Sequence, residues 1–115
     1  MFHTVIHQLK DPQNIGMIIR SHAALGGGKL IFSGYEQPYK VKRKEKAFSR
    51  SLVDKCELLQ FSTAEGLFDW AKLNSIPTVA LEITEEATLL PQFNFPDEVA
   101  LIVGNESYGL PDEIL

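Results

Sequence analysis

At 115 residues, 44% hydrophobic and 23% charged, the chain has room for one domain around one core, with the composition of an ordinary globular protein. Its single cysteine, Cys56, excludes an internal disulfide and cysteine-based zinc sites, and points to a reducing, cytoplasmic compartment. No apolar run has the length of a membrane span, and a net charge of −4 argues against holding nucleic acid by bulk charge.

Thr4 to Leu9 reads as a strand, followed by the polar break Lys10-Asp11-Pro12-Gln13-Asn14. Ile15 to Leu25 has helical character, with Asn14 placed to cap it and Gly26-Gly27-Gly28 to stop it. Leu30 to Phe32 is a short strand ending at Ser33-Gly34. The polar stretch from Tyr35 to Lys46 reads as a loop running into a helix that lasts to about Val53. Glu57 to Phe61 fits a third strand, and Ser62 or Thr63 can cap a helix reaching about Leu73. Pro77 to Ile83 is an apolar strand, Glu85 to Asp97 a loop with two prolines. Val99 to Val103 is the near-continuous apolar run expected of a strand covered on both faces. Pro111 to Leu115 has the residues of a first helical turn. Strands alternating with helices predict an α/β fold with a mainly parallel sheet flanked by helices, in a single domain over 1–115.

Charge is unevenly spread. Residues 1–56 carry ten Lys/Arg against four Asp/Glu, and residues 57–115 carry one Lys against eleven acids. Six of the eleven positive charges fall in one run: Lys40, Lys42, Arg43, Lys44, Lys46 and Arg50. Such a run is usually a solvated face, but on an otherwise acidic chain it marks where a polyanion would be held. Tyr35 and Tyr39 beside it could stack on bases, although packing of the turn is the commoner use.

Two segments carry the pattern of a ligand site at the carboxyl ends of a parallel sheet. The first is Asn14-Ile15-Gly16-Met17-Ile18-Ile19-Arg20; on their own, its polar residues also fit a cap and a solvated arginine. The second is Gly104-Asn105-Glu106-Ser107-Tyr108-Gly109-Leu110-Pro111, where a buried strand enters a polar turn flanked by glycine, the residue that lets backbone approach a ligand closely. Other candidates fail. His3 and His7 lie on one strand without metal-ligand geometry. Gly26-Gly27-Gly28-Lys29 lacks the first glycine and the Ser/Thr of a P-loop. Cys56 has no activating neighbour in sequence and reads as a core residue.

Together the two segments resemble the first two signature motifs of the SpoU-type (SPOUT superfamily) RNA 2′-O-ribose methyltransferases, Asn-x-Gly-x-Ile-x-Arg and Gly-x-Glu-x-x-Gly-Leu-Pro, in the same order and at similar spacing. The resemblance implies a SPOUT methyltransferase-like fold and S-adenosyl-L-methionine as cofactor. It further implies an RNA substrate (tRNA or rRNA) and a homodimer, with neither metal nor membrane. It assigns Arg20, Asn14 and Glu106 to catalysis. Leu81, Gly104, Asn105 and Glu106 fall to the cofactor, and Lys40, Lys42, Arg43, Lys44 and Lys46 to RNA. The family's third motif, a strand with a Ser-Leu-Asn turn, is absent, so the chain reads as C-terminally incomplete. The family's trefoil knot is expected only in the complete protein. The alternative is a catalytically inactive RNA-binding or dimerisation module on the same scaffold.

Overall fold

The structure, a computed structural model, describes residues 1–36, 39–50, 52–81, 96–104 and 114. Five strands form one sheet in which every pairing is parallel: β1 (Phe2–His7), β2 (Lys29–Ser33), β3 (Glu57–Phe61), β4 (Thr78–Leu81) and β5 (Val99–Val103), in the order β3-β2-β1-β5-β4. Helices α1 (Pro12–Ala24) and α2 (Arg43–Phe48), with a 3-10 turn at Leu52–Lys55, cover one face, and α3 (Ala64–Leu73) covers the other. The expected class, a parallel α/β sheet flanked by helices, is the one observed.

Alternation along the central strands divides the core in two. Ile6, Leu30 and Phe32 point to the α1 face, where Ile15 and Ile19 of the helix meet them; Val5, Ile31, Ala100 and Ile102 point to α3, against Leu67 and Ala71. Ile15 and Ile19 are wholly buried. Each contributes roughly 1.5–3 kcal/mol relative to leaving its side chain in water.

Three boundaries differ from expectation, each for a local reason. β1 ends at His7 rather than Leu9, because Gln8 takes φ 60° and turns the chain; Leu9 remains buried from the loop. Helix α1 is capped by Asp11, not Asn14. Pro12 has no N–H to waste and a φ suited to the first helical position, so the helix starts there and the Asp11 carboxylate accepts from the N–H of Gln13 at 2.8 Å. The helix expected to reach Val53 stops at Phe48; Arg50 has φ 54°, and the chain resumes as the 3-10 turn. β4 runs from Thr78 to Leu81, and residues 82 and 83 lie outside the described residues. So do most of the loop expected over Glu85–Asp97 and the start of the helical turn expected at Pro111.

Other signals read locally hold. Thr63 caps α3, its hydroxyl accepting from the N–H of Gly66 at 3.1 Å. At the end of α1, Gly26 has φ 75° and donates to Ala23 O, while Gly27 donates to His22 O at 2.8 Å; these are the paired bonds of a Schellman stop. Among the described residues, no helix is long and apolar enough to cross a membrane.

Candidate active site

Because all strands are parallel, their carboxyl ends share one edge of the sheet. Leu81 is the register partner of Val103, and Val103 of Ile6, so the ends of β4, β5 and β1 stand side by side. Leu81 and Gly104, both far beyond the first motif in sequence, are therefore brought together, and the first turn of α1 reaches the same edge. β4 is an edge strand, so one side of the Leu81 backbone has no sheet neighbour among the described residues. Asn105 and Glu106 lie outside the described residues.

Between α1 and strands β4 and β5 runs a groove of about 260 Å³, lined by Met17, Ile18 and Leu25 of the helix and by Leu81, Leu101 and Val103 of the strands. Met17 and Leu81 are 45% and 39% exposed, a large apolar opening for positions that share one side of the molecule. Asn14 lies on the same side of α1 as Met17 and Ile18, at ~100° of rotation per residue.

Arg20 does not. Six residues from Asn14, it is turned ~120° away around the axis and stands roughly 9 Å further along it. It follows Gly16 by one helical turn, on the flank that meets α2. A Cβ on Gly16 would come 2.3 Å from the Cβ of Phe48 and 3.0 Å from the carbonyl of Glu45, so this glycine is where α1 and α2 cross. Arg20 is half-buried, and among the described residues no carboxylate pairs with it. Helix α1 thus separates its two polar motif residues: Asn14 lies on the side of Met17 and Ile18, and Arg20 on the side of the basic segment.

That basic segment is exposed and firmly anchored. Lys40, Lys42, Arg43, Lys44, Lys46 and Arg50 are all exposed, and of these Lys46 pairs with Asp54 at 3.2 Å. Its anchor is Tyr39. The ring stacks on Phe32 with centroids 4.2 Å apart and planes 11° apart. Its backbone N–H donates to Gln60 Oε1 at 2.5 Å, and Gln60 Nε2 donates back to its carbonyl at 2.7 Å. Its hydroxyl donates to the buried carboxylate of Glu45, whose other oxygen accepts from the Lys42 N–H at 2.9 Å. Burial, and secondly the Glu45 bond, raise the Tyr39 pKa above the ordinary phenol value. Tyr35 donates to Leu9 O at 2.7 Å. Both tyrosines pack the turn as expected. The clamp itself escaped the sequence, since Lys42 is no standard helix cap and Gln60 reads as an outward-facing residue of an edge strand.

The remaining candidates are structural. His3 accepts from the Lys29 N–H at 2.9 Å and meets Glu98 at 2.7 Å; His7 bonds Ser33 at 3.1 Å. Cys56 is half-buried, its pKa raised by that burial, and its thiol donates to Leu52 O.

Among curated proteins none matches. A crystal structure of an rRNA methyltransferase from Sinorhizobium meliloti superposes with a TM-score of 0.87 at 23% identity, covering 98% of this chain and 43% of that one. The SpoU methyltransferase AviRb from Streptomyces viridochromogenes, in complex with AdoMet, gives 0.84 at 24% identity, covering 96% and 45%. An RNA 2′-O ribose methyltransferase gives 0.78 at 28% identity, covering 95% and 41%. This chain therefore spans less than half the length of these relatives. The profile of the SpoU rRNA Methylase family matches residues 1–115 throughout, and the chain belongs to that family.

Proposed function

We propose that the protein is an S-adenosyl-L-methionine-dependent RNA 2′-O-ribose methyltransferase, acting on tRNA or rRNA in the cytoplasm as a homodimer. The observation that carries this reading is where a SpoU family member holds its first motif and Gly104, the residue that opens the second. Asn14 and Arg20 lie on α1, and Leu81 and Gly104 stand side by side at the carboxyl edge. Relatives described as AdoMet-bound and as a 2′-O ribose methyltransferase support the cofactor and the reaction.

The residues present fit the donor. The outer backbone of Leu81 and the backbone at Gly104 can meet the polar edge of an adenine, with apolar Leu81 and Val103 beside it. When bound, the donor supplies an electrophilic methyl on a sulfonium, so the chain's own task is positioning and charge stabilisation. Arg20 is a poor base, since a guanidinium stays protonated to pH above ~12. Its role is to grip the phosphate beside the target ribose and stabilise the developing alkoxide, the proton leaving to phosphate or water. Asn14 and Glu106 orient the reacting groups, and Glu106 and Asn105 complete the cofactor side. Lys40, Lys42, Arg43, Lys44 and Lys46 hold RNA phosphates. The exposed Met17 and Leu25 on α1 favour burial against a second copy.

The test is methyl transfer from labelled S-adenosyl-L-methionine to total RNA by the full-length protein, followed by digestion to nucleosides. Label on ribose supports the reading; label on a base sinks the reaction class. A protein that binds RNA and dimerises without binding the donor in calorimetry would instead be an inactive module.

A further inference from the structure

A second groove, of about 570 Å³, opens at the carboxyl ends of β1 and β2. Its apolar parts are Leu9 and the rings of Tyr35 and Tyr39; its rim carries Lys10, Lys40 and Lys42, against one acid, Glu36. From the apolar wall, the ammonium rim and the anchored Tyr35 and Tyr39, we infer that this groove is a subsite for one unpaired nucleotide of the RNA strand, next to the nucleotide that is methylated. The inference rests on the RNA reading above and adds to it a specific seat and a new residue, Lys10.

Three observations argue for this occupant. The first is charge. Three lysines to one carboxylate suit a phosphate and repel the methyl donor, which carries a sulfonium. Lys40 and Lys42 are exposed and, among the described residues, their ammonium groups form no salt bridge. The second is shape: an apolar wall with two aromatic rings under a cationic rim is the pattern that holds a base by its face and its phosphate by charge. The third is position. The groove lies over β1 and β2, and the Leu81–Gly104 corner over β5 and β4, two strand spacings away, which is ~10 Å. A nucleotide in the groove is thus a neighbour of the target, on the same sheet edge.

The seat is built before anything binds. Gln60 fixes the Tyr39 backbone at both its N–H and its carbonyl, Glu45 fixes its hydroxyl, and Tyr35 ties its loop to Leu9 at 2.7 Å. Little ordering entropy remains to be lost on binding, so modest contacts convert efficiently into affinity.

The experiment uses the full-length protein and a fluorescent single-stranded 12-mer RNA carrying 4-thiouridine. Ultraviolet cross-linking and peptide mass mapping should place the adduct on Leu9–Lys10 or on Tyr39–Lys42. Removing the base at the cross-linked position should weaken binding about tenfold, the loss of one base stack. The double variant Lys10→Ala/Lys40→Ala should lower the slope of log affinity against log salt by about 1.4, at ~0.7 per phosphate contact on a single strand. Its affinity for S-adenosyl-L-methionine should not change. Cross-links confined to other elements, or an unchanged salt slope in a protein that still methylates RNA, would overturn the subsite and leave the enzyme reading standing. If the wild-type protein binds no RNA and transfers no methyl, both fall.

Discussion

Tyr39 donates its hydroxyl hydrogen to Glu45, a carboxylate with no exposed surface on a helix whose other charged residues are exposed lysine and arginine. A buried acceptor that loses its donor keeps its full desolvation cost. Tyr39→Phe should therefore destabilise the fold by ~1–3 kcal/mol, seen as a lower urea midpoint with an unchanged m-value. An unchanged midpoint would mean that the carboxylate finds water instead.

The α1–α2 crossing at Gly16 has no room for a methyl group. Gly16→Ala would set its Cβ 2.3 Å from that of Phe48, which the backbone holds in place, and should cost ~1–3 kcal/mol. Gly66→Ala is the control. Its Cβ would find neighbours no nearer than 3.6 Å, and alanine in α3 should be neutral or stabilising by up to ~1 kcal/mol.

His22 is a pH-sensitive member of the core. Its Nε2–H donates to Gly28 O at 3.0 Å, which leaves Nδ1 to accept from the Thr4 hydroxyl at 2.6 Å. Desolvation by burial lowers its pKa below the ordinary histidine value, outweighing the carbonyl bond that raises it. The unfolded chain thus takes up a proton before the folded one does. This contribution to stability is intact above about pH 6.5 and is lost as pH falls below that through the folded pKa. An NMR titration of the His22 ring should give a midpoint below 6.5; one above it would reverse the sign.

Arg20→Ala in the full-length protein should lower kcat for methyl transfer by ~10²–10³-fold, the usual loss on removing one charge-stabilising donor. Donor affinity should be retained, because Arg20 faces away from the Leu81–Gly104 corner. Arg20→Lys should rescue little, since an ammonium cannot make the paired contact of a guanidinium. Wild-type turnover in either variant would remove Arg20 from the site.

Neutralising Lys42, Arg43 and Lys44 together should lower the salt slope of RNA binding by about 2, at ~0.7 per contact. If the slope holds, the run is only a solvated face.

What the sequence disclosed, and what it hid, follows from the range of the interactions involved. Strand β3 and the Thr63 cap depend on neighbours in the chain, and both were readable. The cap of α1 was misplaced by three residues because the apolar periodicity begins at Ile15, whereas Pro12 and Asp11 decide where the helix begins. The end of β1 was missed because Gln8 takes a left-handed conformation that its residue type does not announce. Asn14, Arg20, Leu81 and Gly104 could be named from their motifs. That α1 turns Asn14 and Arg20 to different sides required only helical geometry, but which side meets α2 required the packing of Gly16. The Tyr39 clamp joins residues from β3, α2 and the loop between β2 and α2, and no window of sequence contains it. Lys10 was passed over as part of a polar break, since only the fold brings it opposite Lys40.

The central pairing of β1 with β5 couples the site to the folding of the whole domain. Phe2 lies beside Val99, and the backbone N–H of Val99 donates to Met1 O, so strands from nearly opposite ends of the sequence meet at the middle of the sheet. Such a contact closes a very long loop, and the closure entropy makes it costly to form before the strands and helices between are in place. The start of α1 and Gly104 therefore come to one edge only once β1 and β5 have paired. A ligand bound across that edge stabilises the paired strands against unfolding.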